Sequence, residues 1–386
     1  MPKKFQNFIA GKWVDARSGK TFENRNPANW DELVGTFPKS GKEDVDEAVR
    51  AARAAHETWR LVPAPKRGDI MRKVGDVMVA RKEELARQMT REMGKVLTET
   101  RGDVQEGIDT AYYAAGEGRR LFGKTVPSEL PDKLNMAMRV PIGVAGIVTP
   151  WNFPMAIPTW KIFPALLCGN TIVFKPASDT PATATSLVEI LLEAGIPAGA
   201  INIVHGGGAE VGNAIVGHPD VDLVSFTGST EVGKKISAMA ASTLKRVSLE
   251  LGGKNAQIVM DDADLGLALE GLLWGAFGTT GQRCTATSRL ILHEKIHDKF
   301  IGMLVDRVKK LRLGDGLLPT TDVGPCINQG QQETVKNYVE IGVQEGARIV
   351  TGGDIPRGSG LEKGWFFSPT VFENVKPEHR IAKEEI

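Results

Sequence analysis

Between residues 43 and 60 the apolar side chains Val45, Ala48, Val49, Ala52, Ala55 and Trp59 fall on one stripe, with Glu, Asp and Arg opposite. That period predicts an amphipathic helix. Pro63 and Pro65 are expected to close the unit. Two more amphipathic helices are predicted at about 66–80 and 82–93, then a longer one at about 98–118 carrying Tyr112 and Tyr113. Ahead of them, residues 5–35 are short-period and turn-rich, with Trp13, Trp30 and Gly-Lys pairs, and read as small edge strands. Residues 119–141 hold Pro127, Pro131 and a strand-like run from Met136 to Val140, the pattern of an arm rather than of core.

From residue 142 strand and helix alternate. Val144–Val148, Thr171–Phe174, Ala200–Val204, Leu223–Phe226 and Arg246–Leu249 are strand candidates. Helices are predicted at about 154–167 and again after Lys175-Pro176, where Gly195 and Pro197 stop the run. Apolar strands separated by helices imply a parallel sheet covered on both faces. Ligands then bind beyond the carboxyl ends of the strands. A second α/β unit is expected from about 253. Its pieces are a strand at 255–260, a helix at about 264–277, a strand at 288–292, a helix at about 294–311 and a strand at 348–350.

Composition narrows the function without naming it. Over 386 residues, 48 Lys and Arg nearly cancel 47 Asp and Glu, so the basic face of a nucleic-acid or membrane-surface protein is not expected. No apolar run is long enough to span a membrane. The start, Met-Pro-Lys-Lys-Phe-Gln-Asn, lacks the apolar run of a secretory signal. Three scattered cysteines, Cys168, Cys284 and Cys326, form no disulfide or zinc pattern and fit a reducing, cytoplasmic compartment. The six histidines are dispersed, and no metal is expected.

The candidate chemistry sits beyond the predicted strand ends. Gly281-Gln282-Arg283-Cys284 places a cysteine after an arginine among small and polar residues. A reactive thiolate and an inert thiol both fit that context. Gly206–Gly212, with Gly208 and Gly212, reads as a strand-to-helix turn or a weak phosphate loop, since Val211 takes a glycine's place in the dinucleotide fingerprint. Phe226-Thr227-Gly228-Ser229-Thr230-Glu231-Val232-Gly233 can hold a pyrophosphate on backbone N–H groups or cap a helix, and the two are compatible. In Thr149-Pro150-Trp151-Asn152-Phe153-Pro154, the Asn152 amide can serve an oxyanion or its own loop. In Leu249-Glu250-Leu251-Gly252-Gly253-Lys254, Glu250 lies between leucines, where apolar surroundings would suit a general base. A capping carboxylate beside Lys254 is the alternative.

A nucleophile, a base, an amide donor and a dinucleotide-type sheet together suit covalent oxidation of a carbonyl. Five motifs, Pro150–Pro154, Phe226–Thr230, Leu249–Lys254, Gly281–Cys284 and Lys383-Glu384-Glu385-Ile386, occur in an order that resembles the NAD(P)-dependent aldehyde dehydrogenase superfamily along essentially the whole chain. The resemblance implies an α/β fold with a Rossmann-type cofactor domain at 1–118 and 142–252. A bridging and oligomerisation β arm would take 119–141, and a catalytic domain 253–386. It implies Cys284 as nucleophile, Asn152 with the Cys284 N–H as oxyanion donors, and Glu250 as activator of the hydrolytic water. For NAD or NADP it implies Thr149, Pro150, Trp151, Lys175, Ser178, Gly208, Gly212, Phe226, Thr227, Gly228, Ser229, Val232, Leu251, Gly252 and Glu385. Phe153 and Trp160 would line the substrate tunnel or pack in the core. The full-length protein would be a homodimer or homotetramer acting on a small-molecule aldehyde.

Two departures and one substrate residue, Arg283, carry information. Ser178 stands where many NAD-preferring members have a ribose-binding glutamate. It admits a 2′-phosphate, or it caps the next helix. The chain ends where members continue with Phe-Gly-Pro, so a C-terminal part of the catalytic domain is expected to be missing. Arg283 suits recognition of a carboxylate or phosphate on the aldehyde; tuning of the thiolate or a surface ion pair is the alternative. Gln282–Arg289 is similar to 2,5-dioxovalerate (α-ketoglutarate semialdehyde) dehydrogenases, with other semialdehyde and non-phosphorylating glyceraldehyde-3-phosphate dehydrogenases close by. An inactive binding or structural relative is opposed by the intact Asn152, Glu250 and Cys284 set. A coenzyme A-acylating enzyme is opposed by Glu250. Cys168 reads as core and Cys326 as a loop residue.

Overall fold

The computed structural model describes residues 3–358 and 360–386. Five strands come first: β1 (Lys3–Lys4), β2 (Asn7–Ile9), β3 (Lys12–Val14), β4 (Thr21–Asn26) and β5 (Asn29–Pro38). β1, β5 and β4 form a small sheet, while β2 and β3 extend one edge of the main sheet antiparallel. Then follow α1 (Lys42–Trp59), α2 (Ala64–Ala80), α3 (Lys82–Met93) and α4 (Leu97–Glu117), close to the ranges their apolar stripes predict. The two prolines act differently from expectation. Pro63 is the N-cap of α2 and Pro65 stands in its first turn, where a missing N–H forfeits no helical bond. β6 (Lys124–Pro127) and β7 (Leu134–Ala137) pair as an exposed antiparallel hairpin within 119–141. The second strand there begins and ends earlier than the run from Met136 to Val140 suggested.

The main sheet is built from β8 (Val144–Val148), α5 (Ala156–Leu167), β9 (Thr171–Lys175), α6 (Pro181–Ala194), β10 (Ile201–Ile203), α7 (Asn213–Gly217), β11 (Leu223–Thr227), α8 (Thr230–Ala241) and β12 (Arg246–Glu250). Its order is β12-β11-β8-β9-β10-β2-β3, parallel from β12 to β10. Alternation along the strands divides the side chains between two layers. Ala145, Ile147, Ile172 and Phe174 pack with apolar residues of α2 to α6. Val144, Val148, Val173 and Val224 pack with those of α1, α7 and α8. Each large aliphatic or aromatic side chain so buried contributes about 1.5–3 kcal/mol relative to exposure.

The remaining elements are β13 (Asn255–Val259), α9 (Leu265–Phe277), β14 (Thr287–Leu292), α10 (His297–Val308), α11 (Gln329–Gln344), β15 (Arg348–Thr351), β16 (Val371–Glu373) and α12 (Arg380–Lys383). β13 and β14 pair in parallel, β15 and β16 antiparallel. Leu269, Leu272 and Leu273 of α9 meet Phe300, Leu304 and Val308 of α10. The helix expected at 294–311 is a short 3-10 turn leading into α10. This part is tied to the rest by Leu97 N–H on the Gly316 carbonyl (3.0 Å) and Asn328 on Asp179 (2.8 Å). Trp365 adds an N–H to the Pro27 carbonyl (3.0 Å) and a ring contact with Trp30 at 4.5 Å.

Candidate active site

Strand register brings the motifs to one level. Val148 pairs with Lys175 and Phe226, and Thr227 pairs with Glu250, so four strands end side by side. Past Val148 the chain turns through Thr149 to Pro154 into α5. The loop is held from below by Lys95, whose Nζ donates to the Asn152 carbonyl (3.0 Å) and to Asp103 Oδ2 (2.6 Å). Asp103 Oδ1 in turn accepts from Ala156 N–H (2.6 Å). The Lys95 ammonium also lies 4.1 Å from the Phe153 ring centre.

The Asn152 side chain points at the cysteine loop. Its Nδ2 donates to the Gln282 carbonyl (3.1 Å), two residues before Cys284, and its Oδ1 accepts from Phe153 N–H (3.1 Å). The loop is fastened from three further directions. Asn255 Nδ2 donates to the Cys284 carbonyl (2.8 Å). The Gln282 amide bonds to the Thr279 carbonyl (3.2 Å) and Ile327 N–H (3.0 Å). Glu99 accepts from Thr279 N–H at 2.8 and 2.9 Å. Thr279, Thr280 and Gly281 all have positive φ, at 53°, 58° and 71°, a conformation that β-branched residues avoid.

The nucleophile candidate is Cys284. Burial pushes the half-buried Cys284 thiol upward, and the carboxylates of Glu385 and Glu250 push the same way. Backbone hydrogen bonds at Cys284 and Thr285 pull the other way. The Arg283 guanidinium is turned away, with Nη2 on Glu99 Oε1 (3.1 Å), Nε on Thr279 Oγ1 (2.9 Å) and its plane 4.7 Å from the Trp274 ring centre. Both side chains of that ion pair are shielded, at 11% and 5% exposed. It is therefore not a surface pair. A cavity of about 950 Å³ opens beside Arg283, Lys254 and Glu385, and Cys284 is not among its lining residues.

Glu250 departs from expectation. It ends β12 with its side chain exposed, not enclosed by Leu249 and Leu251, because strand alternation sends the leucine before it to the other face. Its carbonyl accepts from Gly228 N–H (3.1 Å). Facing it is Lys161 of α5, which donates to Ser225 Oγ (3.0 Å) and whose burial draws its pKa down to about 8 against the pull of Glu250.

Around the strand ends lies a polar cleft. Lys175 Nζ donates to the Pro176 carbonyl (2.7 Å), and burial lowers its pKa to about 8. Ser178 Oγ donates to the Gly206 carbonyl (3.0 Å), and Thr180 is the N-cap of α6, so Ser178 does not cap that helix. The amides opening α6 are taken by the buried Glu92, which accepts from Ala182 N–H (2.5 Å) and Thr183 N–H (2.8 Å). By contrast Ser229 caps α8 through Val232 N–H (3.3 Å). Gly208 to Gly212 is a π-helical turn leading into α7, and a Cβ on Gly207 or Gly208 would meet open space. Thr227 Oγ1 is buried without a partner. A Cβ on Gly252 would collide with the Glu385 carboxylate. Trp151 and Phe153 are half-buried, and Trp160 and Val232 are exposed. Of the remaining cysteines, Cys168 is half-buried at the end of α5 rather than fully in the core. Cys326 is buried, its thiol pushed up to about 12. Among the described residues no group of three or more His, Cys, Asp or Glu could hold a metal, and no helix is long and apolar enough to cross a membrane.

With this arrangement in view, the model of the aldehyde dehydrogenase family matches residues 13–386. The chain belongs to the aldehyde dehydrogenase family. It is 44% identical to the α-ketoglutaric semialdehyde dehydrogenase of Bacillus subtilis, over 99% of this chain and 78% of that one. It is 42% identical to the 2,5-dioxopentanoate dehydrogenase of Saccharolobus solfataricus, over 100% and 79%. A crystal structure of Staphylococcus aureus betaine aldehyde dehydrogenase, in complex with NAD+ and with a BME-modified cysteine, superposes with a TM-score of 0.97. That match has 39% identity and covers 98% of this chain and 78% of the other. The aldehyde dehydrogenase fold is thus shown, and the protein is an NAD(P)-dependent oxidoreductase that converts a small aldehyde to its acid. Lys95, Glu99, Asp103, Lys161 and Asn255 support this aldehyde dehydrogenase's site and escaped the reading of the motifs. The available signal was charge within apolar runs, as in Met93-Gly94-Lys95-Val96-Leu97 and Trp160-Lys161-Ile162-Phe163.

Proposed function

We propose that this aldehyde dehydrogenase oxidises a small anionic semialdehyde such as 2,5-dioxovalerate, with Cys284 as the acyl-carrying nucleophile. The observation that carries the assignment is the Asn152 amide on the Gln282 carbonyl, aimed at the cysteine loop from another strand end (3.1 Å). Cys284 Sγ adds to the aldehyde carbon as its proton passes to solvent water. The second N–H of Asn152 and the Cys284 backbone N–H then face the oxygen that gains charge. Bound NAD(P)+ supplies the hydride acceptor, and what remains on Cys284 is a thioester. Glu250, exposed at the strand end, takes the proton of the water that cleaves it.

The cleft chemistry fits a dinucleotide, given the unpartnered Thr227 hydroxyl and the open space over Gly207 and Gly208. Lys175 and Ser178 would hold the adenosine ribose, and Ser229 the pyrophosphate with Gly208 and Gly212 behind it. Val232 would lie near the adenine, and Glu385 would hold the nicotinamide ribose beside Gly252. Thr149, Pro150, Trp151, Phe226, Thr227, Gly228 and Leu251 would line the cleft. An uncharged Ser178 supports use of both NAD and NADP. Phe153 and Trp160 would wall the substrate side, and the Nη1 edge of Arg283 is what remains for a substrate carboxylate. The names of the two relatives above support the dicarboxylic substrate. The parallel sheet supports a cofactor unit at 1–118 and 142–252, the exposed hairpin a dimer- or tetramer-forming arm, and the scattered free thiols a cytoplasmic setting.

The test is reduced-nicotinamide absorbance with a panel of aldehydes and both cofactors. Cys284→Ala should abolish oxidation while retaining cofactor binding. Arg283→Ala should raise KM for 2,5-dioxovalerate more than for hexanal. Turnover by the cysteine variant would refute the nucleophile, and an equal KM effect on both aldehydes would remove the anion contact. The shielded Arg283–Glu99 pair favours a second reading, in which the arginine only builds the loop.

A further inference from the structure

The turn that delivers Cys284 is held in a conformation its own residues disfavour. Thr279 and Thr280 are β-branched and left-handed, and such residues persist there only when their surroundings over-determine them. What determines them comes from another part of the chain. Glu99, in the first turn of α4, accepts Thr279 N–H on both oxygens (2.8 and 2.9 Å), the Thr279 hydroxyl (3.2 Å) and Arg283 Nη2 (3.1 Å). There is no slack around this knot. A Cβ on Gly278 would lie 2.5 Å from Arg283 Nη2 and 3.0 Å from Glu99 Oε1. Beyond it, the Gln282 side chain returns to the Thr279 carbonyl (3.2 Å), while its own carbonyl accepts from Asn152 (3.1 Å).

We propose that Glu99 is a positioning residue for the reaction. It clamps the strained Thr279–Thr280 turn and so sets Cys284 opposite the Asn152 amide, and by fixing Arg283 it chooses the guanidinium edge offered to substrate. The inference rests on Cys284 being the nucleophile. Glu99 touches neither substrate nor cofactor in this scheme and acts through Thr279 and Arg283. Neutralising it leaves the Arg283 charge buried without its partner. A test must therefore separate loss of the clamp from an orphaned cation.

The experiment uses the full chain with NAD+ present. It compares the parent, Cys284→Ala, Glu99→Gln, Arg283→Met and the double variant E99Q/R283M. Each is assayed for kcat with 2,5-dioxovalerate and with hexanal. Iodoacetamide labelling of Cys284 is followed on its own peptide. Displacing the cysteine loop by a fraction of its width is expected to slow labelling and both turnovers at least about tenfold in E99Q. The double variant should stay about as far below R283M, since removing the cation does not restore the clamp. Labelling of E99Q at the parent rate, or of E99Q/R283M at the R283M rate, overturns the proposal. In the latter case Glu99 only balanced the arginine. Should E99Q not fold, the comparison of the double variant with R283M decides: the double variant buries no unpaired charge, and in R283M Glu99 keeps its bonds from the Thr279 N–H and hydroxyl. Oxidation retained by C284A would instead refute the underlying nucleophile.

Discussion

Replacing Lys95 by alanine removes a cation whose side chain, like that of its partner Asp103, is 0% exposed. Three contacts go together: the 2.6 Å bond to Asp103, the 3.0 Å bond to the Asn152 carbonyl and the ammonium over Phe153. Asp103 is then left with only the Ala156 N–H, at 2.6 Å. Breaking a buried pair from one side costs roughly 3–5 kcal/mol. The carbonyl and ring contacts overlap with that figure and do not add to it. The loss is large beside a total stability of about 5–15 kcal/mol. With a slope of about 4 kcal/mol/M, it lowers the guanidinium chloride midpoint by about 1 M. Turnover should fall by about 100-fold if the Asn152 loop shifts by ~1 Å. The double variant K95M/D103L separates the two effects. Replacing both charges by apolar groups should recover most of the midpoint but not the turnover, because nothing then holds the Asn152 carbonyl. Denaturation curves and steady-state kinetics of the three proteins make the comparison. A K95A midpoint within about 0.2 M of the parent, with kcat within about twofold, would refute the reasoning.

Glu385 ranks after burial among the causes that raise the Cys284 thiol. Glu385→Gln should therefore move the pH midpoint of iodoacetamide labelling downward, and an unmoved midpoint removes Glu385 from the account. Buried His205 has its pKa pushed from 6.5 to about 3 by burial and by Lys175. Between those values the unfolded chain binds more protons, so stability falls with falling pH by up to about 1.4 kcal/mol per pH unit. His205→Gln should flatten the acid limb of denaturation midpoints between pH 7 and 4; parallel limbs would contradict it. Ser178→Glu places a carboxylate beside the proposed ribose site. It should raise KM for NADP more than for NAD, and equal changes would mean that residue 178 does not face the 2′ position.

The parts of the fold that local pattern controls were legible. α2 to α4 follow their apolar stripes, and the order of strands and helices from Val144 to Glu250 follows from buried runs alternating with helical ones. Failure came where another force decided. Pro63 and Pro65 open a helix instead of closing one, because a proline is equally at home past a helix end and in a first turn. α11 leaves no clear apolar stripe in the sequence, because only Gln332, Val339 and Gly342 are buried along it. In the site, motifs placed Cys284, Asn152 and Glu250 at the ends of separate elements. Their supports could not be read that way. Glu99 meets Thr279 across 180 positions and Lys95 meets Asn152 across 57. Such pairings are products of tertiary packing. The environment of Glu250 was misjudged for a simpler reason: neighbours in sequence point to opposite faces of a strand.

Among the described residues β12 is the outermost strand of its sheet, hydrogen-bonded to β11 on one side only. β8, from which the Asn152 loop departs, is gripped on both sides by β11 and β9. The two carriers of the site are therefore unequal in rigidity. Amide hydrogens from Arg246 to Glu250 should exchange with solvent well before those from Val144 to Val148. The carboxylate at residue 250 rides on the margin that breathes first, while the amide at 152 stands on the part that opens last. In the proposed mechanism, mobility is thus allotted to the group that reaches toward water.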